Sequence, residues 1–405
     1  MTRSPFSNKW RRYLAVLLMP IAALLCAFVF NLSTLEAVGE YSTIERIVRE
    51  QRETGGLYNG FVHSVGSYKK SGYRQAKPEI TVIGSSRSLQ VRDYFFNATF
   101  FNAGGEVRSP TEAFLLTDKL LRLHKPRHVV WFMDFFQFCS SSNNFRENLS
   151  RPQAVIREAE TRVQRGLVPF RLIATKKVVS LSEFVTWGTG GAESHRQGVR
   201  LLGLGVQKGL SAAFGPDGSL YKFLDGAPPP NRNTLDIGLT EIERGHAAFK
   251  HDCHLNLEAM ELVDLFASEM ERAGINLTLI AAPMPEYILQ AMRASGRYRY
   301  VNEWRERMKK RYRIFFDYTS VAPISGQDCE FLDYYHGGEV TYMRILADIG
   351  ARTNSALRDV IDTARLNSLI LSRAGDLVVA DNEIGMKLLG AGSPQQTCPY
   401  IPKKP

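Results

Sequence analysis

The chain lacks internal repeats and low-complexity tracts, which excludes a solenoid or a compositionally biased, disordered polypeptide and leaves an ordinary globular composition. Cysteine is scarce, five in 405 residues, so the fold cannot rest on a dense disulfide framework and must bury a core of its own. Acidic residues are missing from the first 13 positions, which carry Arg3, Lys9, Arg11 and Arg12. Charge of either sign is missing from the run Leu14–Phe30 that follows, and that run is long enough to span a bilayer. No small-x-small cleavage site comes after it, and Leu24-Leu25 ahead of Cys26 make a poor lipoprotein site. The expectation is an uncleaved signal anchor over 14–32, with residues 1–13 in the cytoplasm by the positive-inside rule and the rest outside. A second apolar run of comparable length is absent, which excludes a multi-pass protein.

The formal net charge is +10; the leader supplies four basic residues, leaving +6 on the remainder. A basic ectodomain suits an anionic membrane surface or polymer, or simply a solvated face, and the topology disfavours nucleic acid. Outside the membrane, Cys139, Cys253, Cys329 and Cys398 can form two bridges in three pairings that the sequence does not separate.

Residues 33–76 read as an amphipathic helical connector holding the next domain off the membrane. The stretch Ile80-Thr-Val-Ile-Gly84-Ser85-Ser86-Arg87-Ser88 is then strand, tight turn and helix. A serine there sits at the carboxyl end of a strand and near a helix N-terminus, where unpaired N–H groups favour developing negative charge. The plain alternative is Ser86 as an N-cap. A second strand runs through Ala98–Asn102 into Gly104-Gly105, and Ser109-Pro-Thr-Glu112 is a capping box opening a helix to about His124. The third strand, His128–Phe136, is apolar throughout and reads as buried on both faces. Residues 140–250 are polar, basic and Gly-rich, with helical fragments such as 153–165 and 174–187, and read as a helical insertion or lid between core elements, with a small separate domain as the alternative. A helix over 255–273, a strand over 277–282 and a strand over 313–318 resume the alternation. Residues 77–350 are therefore expected to be α/β, a doubly wound, mostly parallel sheet, followed by a C-terminal helix and tail over 351–405.

After the fifth strand comes Asp333-Tyr-Tyr-His336. Asp and His three apart at the start of a helix can lie on one side, the carboxylate holding Nδ1 while Nε2 points toward a hydroxyl. Loops after parallel strands meet at one rim, which brings Ser86, Gly104, Asp134 and His336 into one neighbourhood. His251-Asp-Cys253-His254 has metal-ligand types, but crowded into four residues before a helix they suit capping and a disulfide better, and no metal is expected.

These blocks resemble those of the SGNH/GDSL hydrolase superfamily. Gly84-Ser85-Ser86 stands where that family has Gly-Asp-Ser, Asn102-Ala-Gly104 looks like its second block, and Asp333-Tyr-Tyr-His336 matches its Asp-x-x-His. Met133-Asp134-Phe135 occupies the place of the third block, so the usual asparagine oxyanion donor is absent. The resemblance implies flavodoxin-like layering and a catalytic triad of Ser86, His336 and Asp333. It also implies an oxyanion hole from Ser86 and Gly104 and no cofactor. Arg87 is a candidate to hold an anionic substrate and Asp134 to orient substrate or the Ser86 loop; a structural ion pair for Arg87 and simple backbone bonding for Asp134 are the alternatives. Ser85 is the fallback nucleophile. The anchor, the Gly-Ser-Ser block and the long insertion are similar to the extracytoplasmic proteins that partner membrane-bound O-acyltransferases. The implied setting is a bacterial inner membrane with a periplasmic catalytic domain, acting in O-acetylation or deacetylation of a polysaccharide or cell-envelope glycan. A non-catalytic glycan-binding or assembly subunit is the other reading.

Overall fold

A computed structural model describes residues 6–140, 162–175, 179–209, 211–222, 232–379 and 381–389. The first part of the expected 153–165 helix, Cys398 and the C-terminal tail lie outside the described residues. The strands are β1 (Leu57–Tyr58), β2 (Ile80–Gly84), β3 (Phe100–Asn102), β4 (His128–Met133), β5 (His195–Arg196), β6 (Val199–Leu202), β7 (Ala212–Phe214), β8 (Leu220–Lys222), β9 (Asn276–Ala281) and β10 (Phe315–Asp317).

Five of them form a wholly parallel sheet in the order β10-β9-β4-β2-β3. The chain enters at β2, winds to the β3 edge, then returns past β2 to β4, β9 and β10. The carboxyl ends of β2 and β4 therefore flank the point where the winding reverses, the usual place for a site in an open α/β sheet. The expected burial of the third strand is found: every residue of β4 is buried. Its side chains alternate, Val129, Trp131 and Met133 joining one core and Val130 and Phe132 the other. Helices Pro110–Leu121, Leu257–Arg272, Glu286–Ser295 and Arg299–Arg311 contribute to the first core, and Glu339–Ala351 and Thr363–Arg373 to the second.

The expected connector is not a spacer. Its two helices, Ile44–Thr54 and Val65–Ala76, pack together, and β1 between them lies at the centre of a second sheet, β5-β6-β1-β7-β8. The insertion supplies the other four strands, so it is not simply helical; segment 33–76 and the insertion form one unit. Strands of two to four residues are too short for a period-2 pattern to show in the sequence. Buried Lys69 joins the two sheets, its ammonium donating to the carbonyls of Asn102 and Gly218. The two ends of the insertion are tied at their base. Ser140 N–H donates to the His254 carbonyl at 3.0 Å, and Cys139 and Cys253 form a disulfide with Cα atoms 5.3 Å apart. Cys329 is also disulfide-bonded.

At the N-terminus, helix Phe6–Ala37 includes a segment, Trp10–Ala37, that is long and apolar enough to cross a membrane, with an 18-residue stretch of mean hydropathy 2.6. Its side chains from Trp10 to Ala27 are all exposed.

Candidate active site

β2 ends at Gly84, where an added Cβ would lie 2.9 Å from the Phe132 carbonyl oxygen and from Ser88 Oγ, so only glycine fits. The turn that follows is a 3₁₀ segment, Ser86–Gln90, rather than the expected α-helix. Its N-cap is Ser85, whose Oγ accepts from Arg87 N–H at 3.2 Å. That settles the alternative raised for Ser86: the capping role falls one residue earlier, and the exposed Ser86 hydroxyl is released from it. Ser86 Oγ lies 2.9 Å from His336 Nε2.

The imidazole is held from behind. His336 Nδ1 is 2.8 Å from Asp333 Oδ2 and 3.0 Å from Oδ1. With Nδ1 donating to the carboxylate, Nε2 is left as the acceptor for the serine hydroxyl. Oδ1 also accepts the backbone N–H groups of Tyr335 and His336, each at 2.8 Å. Burial works against the Asp333 charge, but these bonds and the adjacent ring outweigh it and hold the carboxyl below its ordinary range. The motif sits in a turn just before helix Glu339–Ala351, closed by Leu332 N–H donating to the His336 carbonyl at 2.7 Å.

Arg87 is not placed to hold a substrate. It is 1% exposed. Its guanidinium donates to Asp134 Oδ1 at 2.7 Å, to the Tyr335 carbonyl at 3.1 Å and to the Pro283 carbonyl, and it stacks 4.5 Å from the Tyr335 ring. The Tyr342 hydroxyl donates to the Arg87 carbonyl. Burial opposes the guanidinium charge, while Asp134 and the neighbouring tyrosines favour it and leave its pKa above the ordinary value. Burial alone drives the Asp134 carboxyl the other way, toward the neutral form, with Arg87 opposing. Asp134, itself fully buried, is therefore a partner of Arg87 and not a substrate contact. The pair clamps the Ser86 turn, the end of β4, the loop after β9 and the His336 loop.

Gly104 is closely packed, and an added Cβ would lie 2.1 Å from Ser88 Oγ. Its N–H, expected in an oxyanion hole, donates to Asn102 Oδ1 at 2.9 Å and is not a free donor. Asn102 Nδ2 in turn donates to the carbonyls of Ser88 and Val91 at 2.9 and 3.0 Å, fixing the turn that begins at Ser86. Ser86 N–H, at the first position of its turn, has no intrahelical acceptor.

A second buried network escaped the sequence reading. Arg92 donates to Glu339 Oε1 at 2.9 and 2.6 Å and Tyr94 to Glu339 Oε2 at 2.7 Å, tying the helix after His336 to the turn after Ser86. Arg92 and Glu339 lie 247 residues apart, and neither belongs to a recognisable motif. No group of His, Cys, Asp and Glu that could hold a metal ion occurs among the described residues, and Cys253 of the His251–His254 cluster is taken by its disulfide. Comparison of the chain with protein-family models, curated proteins and solved structures finds no match.

Proposed function

We propose that this chain is a serine acylesterase or acyltransferase that works through an acyl-Ser86 intermediate. The observation that carries the reading is the Ser86–His336–Asp333 array: three side chains from loops 250 residues apart in hydrogen-bonding order, with the hydroxyl exposed. In the reaction, the Ser86 hydroxyl proton passes to His336 Nε2 as Oγ adds to an ester or thioester carbonyl. The oxyanion is met by Ser86 N–H. Collapse expels the alcohol or thiol, which takes the proton from Nε2. Water or a sugar hydroxyl then gives its proton to Nε2, attacks the acyl-serine, and frees Ser86, which recovers the proton. Asp333 stabilises the imidazolium throughout without being protonated.

The acceptor we propose is a hydroxyl of a polysaccharide or cell-envelope glycan and the acyl group acetyl, with a membrane-bound O-acyltransferase as partner at a bacterial inner membrane and the catalytic domain periplasmic. Supporting this are the apolar N-terminal helix and the resemblance of the motifs to the SGNH branch, whose layering the parallel sheet is compatible with. The helix Arg232–Arg244 packs on Tyr334 through Gly238 and carries a cavity of about 610 Å³ whose lining mixes Ile237 and Gly245 with Asp236, Thr240, Glu241, Arg244 and His246, which offers a surface for an acceptor.

The test is release of p-nitrophenol from p-nitrophenyl acetate by the full chain. The proposal expects turnover that Ser86→Ala reduces to the uncatalysed rate; turnover unchanged in Ser86→Ala would overturn it. One observation favours the alternative of a non-catalytic glycan-binding or assembly subunit: with Gly104 N–H bonded to Asn102, Ser86 N–H is left to meet the oxyanion alone.

A further inference from the structure

The N-terminal helix does not leave the body of the protein abruptly. Helix Arg162–Ala174 packs against it, with the Asn31 side-chain amide donating to the Gly166 carbonyl at 2.5 Å. Gly166 lies so close that an added Cβ would be 3.1 Å from Phe28 and 3.5 Å from Leu32. The short helix Leu181–Thr186 docks beside it, Phe184 meeting Phe30 edge-on at 6.3 Å. Val168 and Phe184 on the inner faces of these helices, with Val179 and Trp187 flanking the second, bury together with Leu35 and Val38.

Their outer faces are also apolar. Leu167 is 50% exposed, Phe170 38%, Leu181 63% and Val185 42%. Leu167 and Phe170 are three apart and Leu181 and Val185 four apart, so each pair forms one stripe of its helix. Exposed Arg171 follows Phe170.

Depth decides what covers these stripes. A hydrocarbon core about 30 Å thick takes about 20 helical residues. Counted from Tyr13, the first residue after Arg11-Arg12, that length reaches Leu32. Trp10 and Tyr13, both well exposed, then mark the near interface as aromatic anchors do. Phe28 and Leu32, the residues that Gly166 sits against, fall at the far boundary of the same layer.

We infer that helices Arg162–Ala174 and Leu181–Thr186 form a lipid-binding surface, seated in the boundary between headgroups and acyl chains of the bilayer that Phe6–Ala37 crosses. The inference rests on that helix spanning the membrane. Leu167, Phe170, Leu181 and Val185 insert, and Arg171 stays at the level of the phosphates, the disposition of an interfacial amphipathic segment. The α/β domain is thereby held at a fixed angle on the membrane rather than swinging on a single helix.

The experiment uses the full chain with Cys26→Ser, the disulfides left oxidised, reconstituted into phosphatidylcholine–phosphatidylglycerol vesicles. Single cysteines, Leu167→Cys, Phe170→Cys and Leu181→Cys, carry an environment-sensitive fluorophore. Leu18→Cys in the spanning helix and Leu371→Cys on helix Thr363–Arg373 serve as references. The inference expects blue-shifted emission and quenching by lipids bearing a shallow nitroxide at all three positions, as at Leu18 with a deep nitroxide and unlike Leu371. Water-like, unquenched emission at 167, 170 and 181 with Leu18 still quenched overturns it and points to a protein partner or to solvent on this face. Loss of quenching at Leu18 as well overturns the spanning reading beneath it. Labels on two separate segments keep the test decisive if one variant fails to fold.

Discussion

Asp333 Oδ1 accepts both the backbone N–H of His336, at 2.8 Å, and its ring Nδ1–H, at 3.0 Å. One oxygen therefore fixes the loop and the ring together, while Oδ2 makes the shorter bond to Nδ1 at 2.8 Å. An amide with its oxygen in the place of Oδ1 puts an NH2 donor where Oδ2 accepts from Nδ1, and so favours the tautomer with Nδ1 unprotonated. Asp333→Asn is expected to keep the fold and lower acyl-serine formation by on the order of 10³–10⁴-fold, because the tautomer that leaves Nε2 free is no longer enforced. Rates of p-nitrophenyl acetate turnover in the two proteins check this; a loss under tenfold would contradict it.

The same carboxylate gives a pH dependence. Its pKa in the folded protein lies below that of the unfolded chain, about 3.9. A depressed carboxyl contributes stability that is present above the unfolded pKa and is lost as pH falls through the folded one. The unfolding midpoint of wild type minus that of Asp333→Asn should hold steady from neutral pH to about pH 4 and shrink below it. A gap that widens on acidification would have the wrong sign.

Removing one member of the Arg87–Asp134 pair leaves a buried, uncompensated charge. Arg87→Met and Asp134→Asn are each expected to cost about 3–5 kcal/mol in denaturant unfolding. The double variant Arg87→Met/Asp134→Leu should recover much of that, because a well-packed apolar pair carries no desolvation cost. Equal destabilisation in the double variant would show that the bonds to the Tyr335 and Pro283 carbonyls matter more than the ion pair.

Gly104 tests the packing under the Ser86 turn. Gly104→Ala forces a Cβ against Ser88 Oγ, which itself donates to the Ser85 carbonyl at 2.9 Å. The expected cost is about 1–3 kcal/mol, with slower reaction at Ser86. Adding Ser88→Ala removes the atom in the way and should restore part of both, as read by thermal unfolding and turnover.

The parallel strands were legible because each is apolar and bounded by glycine, proline or charge; β4, read as His128–Phe136, ends at Met133. The residues of the proposed triad were legible because Ser86 and Asp333-x-x-His336 stand in loops at carboxyl ends of strands, where topology alone brings them to one rim. What was hidden depends on contacts between distant segments. β1 is two residues long and gains its place only by pairing with β6 and β7. Arg87 is charged and follows an exposed serine, so nothing local announces that the end of β4, the loop after β9 and the His336 loop close over it. The fate of Gly104 N–H turned on the side-chain rotamer of Asn102, which no periodicity encodes.

The most direct test of the central claim is labelling of the full chain with a serine-directed alkyl phosphonate, followed by mass spectrometry of the modified peptide, with Ser86→Ala and His336→Ala in parallel. The account predicts a single adduct on Ser86 that disappears in both variants. An adduct on Ser85, or none in folded wild-type protein, would contradict the assignment of Ser86 as a histidine-activated nucleophile.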